Sequence, residues 1–233
     1  MPECQPSAPS RQALACVNLH GLYGSTVARL PYTFRILLEN AHRAGRAADV
    51  EAILAWPETG PGRAQVDFMP RRLLMHDTTA VPALVDLAMM RRQVDRASGD
   101  PSIVDTQTPV AVSIDHSIGV DFYGTSDAMA RNRAREIERN AERYTFLKWA
   151  DTAFDRLKLF PPGSGILHTL NIEHLATVAD VEGGVLLPDT VLGTDSHTPM
   201  IGALGVLGWG IGGLEAEGIM LGHAMPLRLP EVV

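Results

Sequence analysis

The fold class is decided by the stretch RRLLMHDTTAVPALVDLAMMRRQV, residues 71–94. Its first seven residues, 71–77, predict a short buried strand that runs into a polar loop, and residues 81–94 have the apolar spacing of a helix. Pro82 fits the first turn of that helix, where a backbone N–H has no partner to lose. The stretch therefore predicts a strand, loop and helix unit of the α/β class.

The same unit recurs further along the chain. VAVSIDHS, residues 110–117, and VLLPDTVLGTDSHTP, residues 185–199, are apolar runs that end in polar loops. Residues 30–58 predict a pair of helices separated at a glycine, and residues 126–159 predict one long charged helix. Residues 202–223 predict a glycine-rich helix or helix pair.

These recurring units predict one α/β domain over residues 23–233. Residues 1–22 are expected to form a disordered leader, because their apolar patch is too short for a signal sequence. We find no internal repeat and no linker in the sequence.

Composition excludes several classes of partner. The formal charge of −7 provides no basic excess for nucleic acid or an anionic membrane. No apolar run approaches the roughly 18 residues of a membrane span. The two cysteines, Cys4 and Cys16, match no disulfide framework and no CxxC pair, which favours a reducing cytoplasm.

Three predicted strand ends each place an acidic residue beside a histidine. The three junctions are His76-Asp77, Asp115-His116 and Asp195-Ser196-His197. A carboxylate that accepts from an imidazole N–H fixes its tautomer and suits it to proton transfer near neutral pH. Because open α/β sheets bind ligands at the carboxyl ends of their strands, we expect the three junctions to share a pocket.

Two other kinds of site fit parts of the sequence. A divalent-metal hydrolase could use these histidines and aspartates as ligands, although neither HxxxH nor HExxH occurs. His168 and His174 are six residues apart and would lie on different faces of a helix. Nucleotide binding is indicated by Gly208, Gly210 and Gly213, which satisfy GxGxxG. The strand and acidic residue that should follow that motif are missing, so close packing of small residues explains it better.

Seven segments of the chain carry a resemblance to a known family. They are LPYTFRILLEN (30–40), VPALVDLAMMR (81–91), IDHSIGVDFYG (114–124), RNAERYTFLKWA (139–150), PPGSGILHTLN (161–171), PDTVLGTDSHTPM (188–200) and LGVLGWGIGGLEAEGIMLG (204–222). In order and spacing they resemble the first domain of the aconitase A and iron-regulatory-protein group. The resemblance runs from about Ala28 to Val233, and GTDSHT followed by LGWGIGGLEAE is its most specific part. It implies a three-layer α/β/α domain with a central, mostly parallel sheet.

The resemblance also implies an activity, the [4Fe–4S]-dependent interconversion of citrate and isocitrate through cis-aconitate, a hydro-lyase reaction of the tricarboxylic acid cycle. The unique iron of the cluster would act as a Lewis acid on the substrate hydroxyl. Asp115 and His116 would help to protonate the departing hydroxyl, and His168 matches another active-site histidine. Asp195 and His197 would bond the iron-bound water or hydroxyl.

The substrate carboxylates are expected at two positions in this chain. Ser196 would bind one of them. At His76 the aconitases have a glutamine that holds a substrate carboxylate, whereas the related 2-methylcitrate dehydratases carry a His-Asp pair there. We therefore expect an aconitase-like hydratase, with 2-methylcitrate or another tricarboxylate as the alternative substrate.

The cluster cysteines of the family are expected outside this chain, since Cys4 and Cys16 precede the matching region. One hypothesis is that the chain is one part of an enzyme whose remaining domains, in cis or as a second polypeptide, complete the site. It predicts an exposed apolar face around Leu204 to Met220 and the tail LRLPEVV, residues 227–233. The other hypothesis is a catalytically inactive truncated fragment or interaction module.

Overall fold

The structure is a computed structural model that describes residues 14–62, 64–114, 119–165, 167 and 175–232. The helices in these ranges are α1 (Leu19–Tyr23), α2 (Tyr32–Arg43), α3 (Ala47–Thr59), α4 (Asp77–Arg96), α5 (Ala128–Arg139), α6 (Ala141–Ala153) and α7 (Gly213–Met220). The strands are β1 (Ala15–Cys16), β2 (Gln65–Phe68), β3 (Arg72–His76), β4 (Val110–Ser113), β5 (Leu157–Phe160), β6 (Ala179–Glu182), β7 (Val185–Pro188), β8 (Thr190–Gly193), β9 (Leu207–Gly210) and β10 (Met225–Arg228).

The main sheet has five strands in the order β5-β4-β3-β8-β9, and every neighbouring pair is parallel. Helices flank this sheet, so the predicted α/β class and parallel sheet are confirmed. Each of the three apolar runs chosen from the sequence contains one of the three central strands. The run at residues 185–199 also contains β7, which belongs to another sheet, so the prediction of a single strand there is wrong. Their carboxyl ends therefore share one edge of the sheet.

Alternate residues of the central strands supply two separate cores. Leu73 and Met75 of β3 belong to the larger core, which contains residues of α4, α6 and α7. Leu74, between them, belongs to a smaller core with Val191 of β8 and Ile201 of the 3₁₀ turn at residues 198–204. Burial on both faces explains why these strands are continuous apolar runs rather than alternating ones.

A second sheet, in the order β1-β7-β6, is attached to the main sheet by two consecutive arginines. Arg71 donates to Asp180 and Glu182, both at 2.7 Å. Arg72 donates to the buried Asp189 at 2.9 Å and also contacts the carbonyl oxygen of Leu175. The strand β1 precedes residue 22 and the helix α1 extends across it to Tyr23, and a leader boundary at residue 22 stays a prediction.

The prediction of one long helix over residues 126–159 is wrong. The segment forms α5 and α6, which are separated at Asn140, and then the strand β5. The Asn140 side chain donates to the Glu136 backbone carbonyl at 3.0 Å and to the Glu136 carboxylate at 2.9 Å. This local bonding by an asparagine side chain competes with the helical pattern and ends α5.

The prediction of a glycine-rich helix pair over residues 202–223 is also wrong in part, because its centre is the edge strand β9 and only α7 is an α-helix. A Cβ atom at Gly208 would lie 2.9 Å from the Val191 carbonyl oxygen, and one at Gly210 would lie 3.1 Å from that of Asp195. The glycines therefore allow β8 and its loop to approach β9 closely. Close packing of small residues was the predicted explanation of the GxGxxG pattern, but the packing occurs in a strand and not in a helix.

Within the described ranges, no helix has the length and apolar character that crossing a bilayer would require.

Candidate functional site

The candidate site lies where β3 and β8 end beside each other. Leu74 of β3 is in register with Gly193 of β8, so His76 and Asp195 each follow the paired residues by two positions. Two of the three predicted acid–histidine junctions therefore meet at one edge. The third junction, Asp115-His116, and also His168, fall outside the described residues.

The carboxylate of Asp195 is the centre of the site. Its side chain is 5% exposed, and its Oδ1 lies 3.3 Å from Nε2 of His76 and 3.5 Å from Nδ1 of His197. The His76 side chain is 15% exposed, whereas that of His197 is 54% exposed. One buried carboxylate thus contacts two imidazoles, of which His197 is much the more accessible to a ligand.

The loop that carries Asp195 is fixed by its own hydrogen bonds. The backbone N–H of His197 donates to Oδ2 of Asp195 at 3.1 Å. The buried Thr198 donates from its hydroxyl to the Asp195 carbonyl at 2.7 Å. Ser196 Oγ lies 3.4 Å from Nδ1 of His197, so the serine and the imidazole share one side of the loop. Such a short, self-bonded turn presents its side chains in one arrangement.

A charged pair lies beside His76. Asp77, the first residue of α4, has a side chain that is 1% exposed and accepts from Nη1 of Arg143 on α6 at 2.9 Å. The neighbouring Tyr144 donates to Glu136 at 2.8 Å, and burial, followed by this hydrogen bond, raises the pKa of the Tyr144 phenol. Tyr144 therefore stays a neutral donor in the working range of pH, and Arg143 supplies the charge next to Asp77.

Three residues near the site were not predicted from the sequence. Thr79 and Thr194 are bonded to the backbone of His76 and to each other, and Arg143 binds Asp77. A threonine one residue before Asp195 and another in the first turn of a helix are common placements. Thr79 and Thr194 come close together only because β3 and β8 are neighbours in the sheet, and this strand order cannot be inferred from a single sequence.

The described residues do not fit the role of ligands to an iron–sulfur cluster. Among them, no group of three His, Cys, Asp or Glu side chains is arranged to hold a metal ion. Cys16 is an exposed residue of β1, which belongs to the second sheet. The site at the end of β3 and β8 therefore consists of imidazole, carboxylate and hydroxyl groups, without thiolate.

The predicted apolar face around Leu204 to Met220 is exposed only in part. The side chains of Leu204 and Leu214 are 39% and 83% exposed. Val206, Ile219 and Met220 are buried instead, because β9 and α7 pack into the two cores.

Comparison with known proteins assigns the chain to a family. The model of the aconitase family (aconitate hydratase) matches residues 50–233. A protein named aconitate hydratase A from Deinococcus radiodurans is 45% identical in an alignment of 233 positions that covers 96% of this chain. Proteins of the same name from Rickettsia bellii and Francisella tularensis are each 47% identical and match 88% and 90% of this chain.

The combination of a parallel α/β sheet, a buried carboxylate between two imidazoles and this match leads to one assignment. The chain belongs to the aconitase family. It spans about a quarter of the length of these relatives, namely 26%, 23% and 23%.

Proposed function

We propose that this chain is the N-terminal part of an aconitate hydratase-like hydro-lyase that interconverts citrate and isocitrate through cis-aconitate. The observation that carries the proposal is the buried Asp195 carboxylate, with its Oδ1 3.3 Å from His76 and 3.5 Å from His197. Removal of water from a hydroxy acid needs proton transfer at the hydroxyl group, and imidazoles held by a carboxylate suit that step.

His197 is proposed to exchange the proton with the substrate. Its Nδ1 faces Asp195, so the carboxylate favours the tautomer that carries the proton on Nδ1. The opposite ring nitrogen, Nε2, is then the atom assigned to the substrate hydroxyl or to the water. Asp195 itself, at 5% exposure, would orient this imidazole.

His76 is proposed to bind a substrate carboxylate and to influence the choice of tricarboxylate. Its Nε2 lies 3.3 Å from Oδ1 of Asp195, so the imidazole is held beside the carboxylate at the edge of the site. By resemblance, a histidine at this position occurs in 2-methylcitrate dehydratases, so dehydration of 2-methylcitrate is the second candidate activity. Asp115, His116 and His168 remain proposed catalytic residues, and Ser196 remains a proposed ligand of a carboxylate.

The cofactor of the proposed activity is a [4Fe–4S] cluster, whose iron supplies Lewis-acid activation of a hydroxyl group. The described residues provide no ligand set for it. We assign its ligands to the part of the relatives outside this chain, provided in cis or by a second polypeptide. A cytoplasmic location also remains a prediction from the cysteine pattern.

The experiment is a chimera in which this chain replaces the matching segment of the Deinococcus radiodurans relative. After reconstitution with iron and sulfide, we expect the chimera to hydrate cis-aconitate. The reaction is measured as the loss of the ultraviolet absorbance of cis-aconitate. Asp195→Asn and His197→Gln should each lower kcat/KM by at least about 10²-fold, since positioned acid–base groups contribute about 10²–10⁴-fold.

Exposed residues of the same types provide the matched controls. Asp127→Asn on the surface and His223→Gln after α7 should leave kcat/KM unchanged within about twofold. A chimera that assembles its cluster but hydrates no cis-aconitate and no 2-methyl-cis-aconitate would overturn the proposal. It would favour the other class of function, a catalytically inactive module.

A further inference from the structure

Both backbone polar groups of His76, the N–H and the carbonyl oxygen, are hydrogen-bonded to threonine hydroxyls. Its N–H donates to Oγ1 of Thr194 at 3.3 Å, and its carbonyl oxygen accepts from Oγ1 of Thr79 at 3.1 Å. The two hydroxyl oxygens lie 2.6 Å apart. Thr79 is in the first turn of α4, whereas Thr194 follows β8 and precedes Asp195.

Donor and acceptor capacities fix the direction of these three hydrogen bonds. The N–H of His76 can only donate and its carbonyl can only accept, whereas each hydroxyl has one hydrogen to donate. If Thr79 donates to the carbonyl, then the hydrogen between the two hydroxyls must come from Thr194. The bonds therefore run head to tail from amide to Thr194, from Thr194 to Thr79, and from Thr79 back to the carbonyl of His76.

This ring of three hydrogen bonds, the threonine ring of His76, connects the two loops of the candidate site. Hydrogen bonds in such a head-to-tail chain polarise and strengthen one another. The Thr79 and Thr194 side chains are part-buried, so water competes weakly for them. The ring holds the end of β3 at a fixed distance from the residue before Asp195, and the His76–Asp195 contact spans the same gap.

We propose that Thr79 and Thr194 are positioning residues that hold His76 against Asp195. The inference rests on the proposed function for its catalytic consequence, but the ring itself is independent of any substrate. Neither threonine is assigned a contact with substrate. Their effect on the reaction would pass through the imidazole of His76.

The first test uses this chain alone and measures amide hydrogen exchange by NMR. Thr194→Val keeps the shape of the side chain and removes the hydroxyl. We expect the His76 amide to exchange about tenfold faster in this variant relative to the Leu74 amide of the same strand. The nuclear Overhauser contact between the His76 ring and the Asp195 β-protons should weaken as well.

Two kinds of variant separate a positioning role from a general structural one. Thr194→Ser and Thr79→Ser keep a hydroxyl and should restore the slow exchange of His76. Thr152→Val is the matched control, because the Thr152 hydroxyl also donates to a backbone carbonyl three residues earlier, that of Trp149, at 2.8 Å on the exposed side of α6. It should leave the His76 amide unchanged.

Thr79→Val removes the other member of the ring and should change His76 in the same way, which keeps the test open if Thr194→Val does not fold. Unchanged exchange at His76 in both valine variants would overturn the inference. Equally faster amide exchange throughout β3 would also overturn it, because that result would indicate a general loss of stability.

The catalytic consequence is tested in the chimera with the Deinococcus radiodurans relative. Thr194→Val should lower kcat/KM about tenfold, and Thr194→Ser should keep it near the parent value. In a chimera that already carries His76→Ala, adding Thr194→Val should cause no further loss of kcat/KM. A tenfold loss that persists in the His76→Ala background would contradict action through His76. An inactive chimera combined with selective exchange at His76 would reject the proposed function and leave the ring intact.

Discussion

Nη1 of Arg143 lies 2.9 Å from Oδ2 of Asp77, and the Asp77 side chain is 1% exposed. Arg143→Met keeps much of the aliphatic length but removes the cation beside a buried carboxylate. Because a buried charge that loses an ion-pair partner is costly, we expect the free energy of unfolding to fall by about 3 kcal/mol, the low end of the range for buried pairs, since the Arg143 side chain is 38% exposed. Urea denaturation followed by circular dichroism measures this difference.

The control for that substitution is Arg135→Met. Arg135 and Glu138 form a pair three residues apart on α5, and their side chains are 49% and 66% exposed. Surface pairs of this kind contribute about 0–1 kcal/mol, so the control should change stability by less than about 1 kcal/mol. Equal losses of unfolding free energy in the two variants would show that the burial of Asp77 does not increase the contribution of its ion pair to stability.

The central strands could be predicted from sequence because their pattern is local. Continuous apolar runs at residues 72–76, 110–113 and 190–193 are buried on both faces of the sheet, and each ends at a polar residue or glycine. The convergence of His76 and Asp195 followed from the rule that parallel strands place their carboxyl ends at one edge.

The errors arose where distant contacts decide the local structure. Gly208 and Gly210 weaken any strand signal, and they are tolerated in β9 because β8 and the Asp195 loop approach closely there. The end of α5 at Asn140 has a local cause instead, because the Asn140 side chain is hydrogen-bonded to Glu136, four residues earlier, and a helical apolar pattern does not predict that bond. Thr79 and Thr194 were missed because they become neighbours only after β3 and β8 pair.

Glu217 on α7 provides a prediction for the pH dependence of stability. Burial raises the pKa of its carboxyl above the ordinary value, and the charge of Asp86 adds to the shift. A carboxyl whose pKa is higher in the folded state binds its proton more tightly there. The stability it contributes is therefore complete below the pKa of the unfolded state and is lost as pH rises through the folded pKa.

Glu217→Gln should consequently increase the free energy of unfolding at pH 7, and the difference from the parent should shrink towards pH 4. Urea unfolding at intervals between these values gives the profile. Glu215→Gln, a change at an exposed position of the same helix, should give a difference that does not vary in this manner. A Glu217→Gln variant that is less stable than the parent at pH 7 would be inconsistent with a raised pKa.

Val178 has a φ angle of 60°, in the left-handed region that a β-branched residue rarely adopts. Its side chain is 55% exposed, so its burial offsets little of the backbone strain. Asparagine tolerates this conformation, and Val178→Asn should raise the free energy of unfolding by about 1 kcal/mol. The urea midpoint measures the gain.

Val181→Asn is the matched substitution for Val178→Asn, three residues along the chain in β6. Val181 has a similar exposure, 47%, but lies within a strand and is not among the residues with positive φ. Asparagine is disfavoured in strands, so this variant should lose stability. Two substitutions of identical chemistry should thus have opposite signs, and a loss in both would mean that Val178 is not strained.

The position of His76 beside Asp195 leads to a prediction about substrate choice. His76→Gln in the chimera replaces an imidazole by an amide, which can donate to a carboxylate, the role that the resemblance implies for the glutamine of aconitases. We expect the ratio of kcat/KM for cis-aconitate over 2-methyl-cis-aconitate to rise about tenfold, the effect of one gained or lost hydrogen bond of about 1.4 kcal/mol. His223→Gln, at an exposed position, should leave the ratio unchanged.

If His76→Gln lowers both values of kcat/KM equally, then His76 contributes to the common step through Asp195 and does not select between the two acids. A change in the ratio with little loss for cis-aconitate would instead assign the residue to recognition, because only a contact made differently with the two substrates can separate their transition states.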